Sequence, residues 1–269
     1  MTDFPSDWTA LASLVFILGM RHGLDADHLV AIDGLTRLNA AGNASLARWC
    51  GALFSLGHGL VVVLIAILIA GLAASFAPPR WLEDVGAWVS IAFLLALGVL
   101  NAMAVVTTRA DEPVRLVGVK ARLGTWLTRA NRPLVVAAVG GLFALSFDTV
   151  SQAALFAVTA SQFGGVGHAL ALGALFTLGM LLVDGANGVW IFRLTVRANR
   201  RALIASRVFA IVVSALSFAV AALAIAKYLS PGVGRWGEDK ELALGVAVVV
   251  LAILGFGLAM SVARARAAD

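Results

Sequence analysis

Seven apolar stretches dominate this sequence, and each is long enough to cross a lipid bilayer as a helix. A membrane helix needs about 20 mainly apolar residues to span a hydrocarbon core about 30 Å thick. None of the stretches alternates like a membrane strand, so helices must satisfy the backbone hydrogen bonds. The sequence therefore predicts an all-α polytopic membrane protein with seven transmembrane helices. The predicted spans are Trp8–Gly34, Trp49–Ser75, Val85–Thr108, Pro133–Ala160, Ala169–Leu194, Ser206–Leu229 and Glu241–Ala263.

The composition agrees with a membrane protein and excludes several other classes. Hydrophobic residues make up 61% of the 269 residues and charged residues 13%, whereas soluble domains have about 45–50% and about 25%. A cytosolic enzyme and a disordered chain are therefore excluded. Cys50 is the single cysteine, so no intrachain disulfide framework can form. The net charge of +5 would suit nucleic acid only if the basic residues formed one surface.

Lysine and arginine are divided unequally between the two sides of the predicted membrane. Fifteen lie at or beyond the span ends on the side of the C-terminus, and four lie on the side of the N-terminus. Because basic residues stay cytoplasmic, we predict the N-terminus outside and the C-terminus inside. Topology and contact with anionic lipid then account for the basic loops. Nucleic-acid binding has no remaining support.

Part of the first half of the chain recurs in the second half. GALFSLGHGL at Gly51–Leu60 shares seven of ten residues with GALFTLGMLL at Gly173–Leu182, and Asp25 aligns with Asp148 at nearly the same offset. The two copies have opposite predicted orientations, as in many secondary transporters whose substrate site lies near the midplane. We therefore predict one transmembrane domain with an inverted 3+3 repeat. Its parts are a first repeat over 8–108, a basic cytoplasmic loop over 109–132, an inverted second repeat over 133–229 and an extra helix over 241–263.

Span one contains a run of polar residues that a lipid-facing helix would not keep. RHGLDADH extends from Arg21 to His28, and one charge at the bilayer centre costs at least ~2.5–3.5 kcal/mol. On a continuous helix His22, Asp25 and His28 fall within an arc of about 120°. Two imidazoles and a carboxylate suit a borderline divalent transition metal. Asp27 points toward another helix, and Arg21 is placed to form a structural ion pair with Asp25. The alternative is a buried structural network without a ligand.

Three further spans carry polar groups at a similar depth, in the middle third of the membrane. With neutral histidines, the buried carboxylates outnumber Arg21 and leave a net charge of −3, which favours a divalent cation over an anion. Protonation of one or two carboxylates is the alternative way to reduce the repulsion between these buried charges. No lysine lies mid-span, which excludes a retinal pump, and no GxxxxGK[ST] motif indicates an ATPase subunit. The polar groups are His58 in span two, Asp148, Ser151 and Gln152 in span four, and Asp184 and Asn187 in span five.

Four motifs of this chain resemble those of the nickel/cobalt transporter family (NiCoT), in the family order. RHGLDADHL at Arg21–Leu29 closely resembles the RHA[VF]DADHI signature, which is highly specific. FSLGHG at Phe54–Gly59 is similar to FSLGHS, and LSFDTVSQ at Leu145–Gln152 is similar to LGFDTATE. GMLLVDGANG at Gly179–Gly188 is similar to GMxLxDTxDG. The resemblance covers the chain from span one to span five.

The resemblance implies a secondary permease that takes up Ni²⁺ and/or Co²⁺ through a bacterial cytoplasmic (inner) membrane. The ion is then substrate, no cofactor is implied, and the chain is not an enzyme. His22, Asp25 and His28 would be ligands with Asp27 and His58 close by, while Asp148 and Asp184 would complete the site or carry protons. Family members usually have eight spans, so we expect this chain to lack the one before the signature. Gln152 and Asn187 replace family acidic residues. Export, another substrate, or a metal-dependent membrane enzyme remain as alternatives.

Overall fold

The computed structural model describes residues 7–40, 42–71, 80–109, 132–145, 165–201, 203–238 and 240–265, and the single residues Val114, Ala153, Phe156 and Phe163. Its regular structure within these residues is helical. The helices are α1 (Trp8–His22), α2 (Ala26–Ala40), α3 (Ala44–Gly71), α4 (Arg80–Thr107), α5 (Pro133–Phe143), α6 (Val166–Arg201), α7 (Leu203–Leu229), α8 (Pro231–Glu238) and α9 (Glu241–Ala265).

Among the described residues, four helical segments are long and apolar enough to cross a membrane, which fits a multi-pass membrane protein. They are Ala44–Ala70, Asp84–Thr107, Val166–Val196 and Ala210–Leu229. Two shorter apolar segments, Pro133–Phe143 and Ala243–Gly255, fall in the predicted spans four and seven. Most of the second half of span four and nearly all of the loop over 109–132 lie outside the described residues. Seven spans and their orientation therefore stay predictions.

The prediction of one continuous helix over Trp8–Gly34 is wrong, because the helix breaks at Gly23–Asp25. The backbone N–H groups of Leu24 and Asp25 donate hydrogen bonds to the carbonyls three residues back, those of Arg21 and His22. The α-helical pattern of α1 therefore ends in a tighter turn. The pattern resumes when Leu29 N–H donates to the Asp25 carbonyl. Broken helices are tolerated at membrane depth where protein covers the freed backbone groups. The helix after the break, α2, also extends past Gly34, the predicted end of span one, to Ala40.

The other complete spans correspond to single helices with shifted ends. Predicted span two begins five residues late, because α3 starts at Ala44. Predicted span five ends seven residues early, because α6 continues to Arg201 with basic residues that the hydropathy limit excluded. The short helix α8, between α7 and α9, was not predicted. Its Trp236 is exposed and lies beneath the Lys240 ammonium, 5.0 Å from the ring centre.

Helix α3 lies at the centre of the described structure and packs closely on α5 and α6. Close approach depends on glycine: a Cβ at Gly57 would lie 1.8 Å from the Ala137 carbonyl of α5, and one at Gly51 would lie 1.9 Å from the Asp184 carbonyl of α6. Further along α3, Gly59 meets Thr177 of α6. Rising numbers on α3 thus meet falling numbers on α6, so the two helices are antiparallel. Small residues at such contacts are typical of packed membrane helices.

Helices α4 and α7 form a second pair beside this centre. Ser214 Oγ of α7 donates to the Gly98 carbonyl of α4 at 2.8 Å. At the end of α4, the Arg207 guanidinium donates to the carbonyls of Val105, Thr108 and Arg109 at 2.9–3.1 Å. These carbonyls have no intrahelical donors because the helix ends there. Arg207 therefore caps α4 from the neighbouring helix.

Candidate metal centre

Three histidines from three different helices meet inside the described structure. His22 ends α1, His28 lies in the first turn of α2, and His58 lies in the middle of α3. Their candidate ligand nitrogens all lie within 4.8 Å of one another. The side chains are at most 6% exposed. Imidazole is a preferred ligand of nickel, copper and zinc, so a cluster of this kind can hold such an ion.

The helix break is what lets His22 and His28 face each other. The turn at Gly23–Asp25 redirects the chain, so the two rings come from the facing ends of α1 and α2 with centres 4.7 Å apart. The His58 ring approaches from α3, 5.1 Å from His22 and 4.8 Å from His28. The predicted association of His22 and His28 is therefore found, although the predicted cause, a single helical stripe, is not.

Two carboxylates orient two of these rings. Asp25 Oδ2 lies 2.8 Å from His22 Nδ1, and Asp184 Oδ2 lies 3.4 Å from His28 Nδ1. An ionised carboxylate only accepts hydrogen bonds, so a neutral ring that bonds one through Nδ1 carries its proton there and keeps the Nε2 lone pair for a metal. This arrangement recurs around metal-binding histidines, where it fixes the ring and increases its basicity.

Ser55 joins the same network, and the sequence analysis missed it. Its hydroxyl lies 2.7 Å from Asp184 Oδ2 and 3.1 Å from the Gly51 carbonyl one turn back. The oxygen of Asp184 that contacts His28 is thus also held from α3. Ser55 is three residues before His58, so the two share a face of α3. Applying that rule to the FSLGH motif would have identified it.

Phenylalanine side chains enclose the three histidines. Phe176 of α6 lies 5.4 Å from the His22 ring, and Phe54 of α3 lies 4.9 Å from the His28 ring. Phe143, at the end of α5, packs edge-on against Phe54 at 5.3 Å. All three phenylalanines are fully buried. Apolar walls keep water out and strengthen the electrostatic interactions inside the cluster.

The remaining predicted site residues have different surroundings. Asp27 points to another helix as predicted: it accepts a bond from Ser90 Oγ of α4 at 3.4 Å, and it caps α2 through His28 N–H at 2.9 Å. Arg21 is exposed in the last turn of α1, and its pairing with Asp25 stays a prediction. Asn187 lines a cavity whose walls do not include the histidines. Asp148, Ser151 and Gln152 lie outside the described residues.

Asp33 is a second residue that the sequence analysis missed. It is a buried carboxylate on α2, 8% exposed, and it lines the same cavity as Asn187. Its position one residue from the predicted end of span one concealed it, because residues near a span end are usually solvated.

Comparison with known proteins shows the family of this chain. The model of the family described as "High-affinity nickel-transport protein" matches residues 8–263. The chain belongs to this family. This is a family of transport proteins and not of enzymes, as the sequence analysis predicts. No solved structure gave a significant match.

Several relatives of this family member are similar over two thirds of its length. A high-affinity nickel transport protein of Cupriavidus necator is 35% identical over 204 residues, which are 66% of this chain and 58% of the relative. The high-affinity nickel-transport protein NixA of Helicobacter pylori is 32% identical over 68% of this chain and 63% of its own length. The cobalt transport protein NhlF of Rhodococcus rhodochrous is 29% identical, over 67% of this chain and 58% of its own. The chain spans 43% to 63% of the length of such relatives.

Proposed function

We propose that this protein is a secondary permease that carries Ni²⁺ and/or Co²⁺ across a bacterial cytoplasmic membrane, in the direction of uptake. The observation that carries the proposal is the buried cluster of His22, His28 and His58. Three imidazoles match the ligand preference of these ions. The names of its relatives, as nickel and cobalt transport proteins, favour the same substrates and are consistent with uptake.

The carboxylates make the centre suitable for a divalent cation. Asp25 and Asp184 each contact a histidine of the cluster, and Asp27 lies in the adjacent turn. With neutral imidazoles, these carboxylates give the centre a negative potential. An arriving divalent cation would be attracted and would offset part of the cost of burying those charges. We assign the three histidines as ligands and Asp25 and Asp184 as positioning residues.

An inverted repeat with seven spans and an external N-terminus is part of the same proposal. Its support is the antiparallel contact of α3 and α6, which contain the two similar ten-residue segments. In transporters with inverted repeats the substrate site lies near the midplane, between the two halves. The cluster supports this part of the proposal, because His58 lies on α3 and Asp184, which contacts His28, lies on α6. Alternating access would then move one half against the other around this point.

Metal binding to purified protein in lipid nanodiscs tests the proposed site. We expect wild-type protein to bind Co²⁺ with a visible absorption spectrum that indicates nitrogen ligands, and Ni²⁺ to displace it. His22→Ala, His28→Ala and His58→Ala should each weaken this binding at least tenfold, because each removes one of three imidazoles. His168→Ala is the matched control: it removes the fourth histidine of the chain, which packs on Trp8 away from the cluster. Equal affinity in all four variants would refute the assignment.

Proteoliposomes test the direction and the activity. Vesicles with a metal-sensitive dye inside should report Ni²⁺ entry with wild-type protein and with His168→Ala, and no entry above background with His28→Ala. The protein must be sorted by orientation for the direction to be read, and labelling of an introduced terminal cysteine supplies that information. Transport only from the cytoplasmic face outward would indicate an exporter instead.

A further inference from the structure

A buried carboxylate lies beyond the three histidines along α2. Asp33 follows His28 by five residues, which is about 7–8 Å along the helix axis. Its side chain is 8% exposed, and neither carboxylate oxygen has a hydrogen-bond partner in the described structure. Buried carboxylates are ordinarily hydrogen-bonded or bound to a cation, because burying the charge is costly. Asp33 therefore has capacity for a ligand that the rest of the fold does not use.

Asp33 opens into a cavity formed by four helices. The cavity is wide enough to hold a water-sized species. Asn187 of α6 also lines it, and the buried amide nitrogen of Asn187 has no hydrogen-bond partner. Which end of a side-chain amide is nitrogen is assigned from its hydrogen bonds, so this amide can equally present its oxygen to the cavity. The other walls are mainly apolar and include Trp190, Val213 and Val248.

Arg37 lies one turn further along α2 and compensates part of the charge of Asp33. The compensation acts at a distance, since no hydrogen bond reaches either oxygen of Asp33. Arg37 thus offsets only part of the cost of burying the Asp33 carboxylate, and both oxygens keep lone pairs available for a ligand. Binding there should consequently be weaker than at an uncompensated carboxylate.

The cavity follows the histidines in one direction along two parallel helices. His28 contacts Asp184, whereas Asp33 shares the cavity with Asn187 one turn further along α6. Ile32 of α2 likewise lies near Gly188 of α6, so both helices run the same way. Asp33 and Asn187 thus lie on the side toward the C-terminal ends of α2 and α6. Under the predicted orientation this is the cytoplasmic side.

We propose that Asp33 and Asn187 form a second, weaker station for the divalent ion, which receives it from the three histidines and releases it toward the C-terminal ends of α2 and α6. This step rests on the proposed function. Oxygen ligands hold nickel and cobalt less firmly than imidazole does. Passage through a site requires binding that is weak enough to leave, and a weaker second station satisfies this requirement.

Co²⁺ titration of the full chain in nanodiscs tests the proposal. Wild-type protein should bind one ion tightly, with the absorption of nitrogen ligation, and a second ion more weakly with little absorption. Asp33→Asn should abolish the weaker binding and leave the tight dissociation constant within about threefold. Asp84→Asn is the control, because it removes an exposed carboxylate of α4 that bonds Tyr228 away from the cavity. The control should retain both binding events.

A gain of charge provides the reciprocal test, which does not depend on the folding of Asp33→Asn. Asn187→Asp adds a carboxylate to the cavity and should tighten the weaker binding by about tenfold, since one favourable charge near a divalent ion is worth at least that factor. One bound ion in wild type, or a weaker event unchanged in both Asp33→Asn and Asn187→Asp, overturns the second station. Unchanged tight binding in His28→Ala instead refutes the three-histidine site.

Discussion

Gly51→Ala should separate the two helices that carry the centre of this protein. A Cβ at Gly51 would lie 1.9 Å from the Asp184 carbonyl oxygen of α6, and contacts below 3.0 Å do not occur. The helices must therefore move apart by about 1.1 Å along that line. The hydrogen bond from Ser55 to Asp184 is 2.7 Å long and one turn away, so the same movement would break it.

The cost follows from these two effects. Overpacking of a tight contact costs about 1–3 kcal/mol, and the lost hydrogen bond adds about 1 kcal/mol. We expect the free energy of unfolding to fall by about 2–4 kcal/mol in total. Metal affinity should fall as well, because Asp184 orients His28 and loses its support from α3.

The assay is unfolding in mixed micelles with increasing SDS, followed by Co²⁺ titration of the folded protein. Gly185→Ala provides the matched control: it makes the same substitution next to Asp184 on α6, where a Cβ would meet no atom within 4 Å. Its stability should stay equal or rise by up to about 1 kcal/mol, the helix preference of alanine. If Gly51→Ala proves as stable as Gly185→Ala, the close α3–α6 contact is not the constraint described here.

Three further experiments test other parts of the molecule. Ser55→Ala should weaken Co²⁺ binding about 10- to 100-fold, because it removes a partner of Asp184; Ser13→Ala, whose hydroxyl bonds only its own helix, should not change the dissociation constant. Arg207→Ala should lower the free energy of unfolding by about 1–3 kcal/mol, because three hydrogen bonds to carbonyls at the end of α4 are lost. Arg207→Lys should recover only part of this loss. Wild-type stability of Arg207→Ala would disprove the role of Arg207 as a cap of α4. In a Cys50→Ala background, an impermeant maleimide should label Ser6→Cys in intact cells and Ala267→Cys only after permeabilisation, and labelling of both from one side would contradict the predicted topology.

The sequence identified the centre because polar residues in an apolar helix are costly and rarely kept without a role. His22, His28 and His58 therefore stand out in the sequence without any knowledge of their contacts. The break at Gly23–Asp25 could not be predicted in this way. Hydropathy reports how well a residue is accommodated in lipid, and it contains no information on the backbone hydrogen bonds that end a helix. The assumption of a continuous helix also gave no sign that one carboxylate oxygen of Asp25 contacts the Nδ1 of His22, and the role of Asp25 as a ligand stays a prediction.

Long-range contacts explain the other differences. Ser55 could have bonded only its own helix, as many membrane serines do, and its bond to Asp184 depends on α6 lying against α3. Asp33 is buried because α6, α7 and α9 cover the middle of α2. An average of hydropathy along the sequence contains no information on these neighbouring helices. The ends of α3 and α6 differed for a related reason, since both helices continue past the apolar core into polar sequence.

The three imidazoles belong to three separate helices, so the centre exists only when α1, α2 and α3 are assembled. An ion that binds the assembled chain and not its unfolded form shifts that equilibrium by mass action, by about 2.7 kcal/mol at a concentration 100 times its dissociation constant. Under the proposed function the cargo is thus also a ligand for folding. Chelation should make the protein easier to unfold, and the species that has just released its ion is the least stable one in the transport cycle.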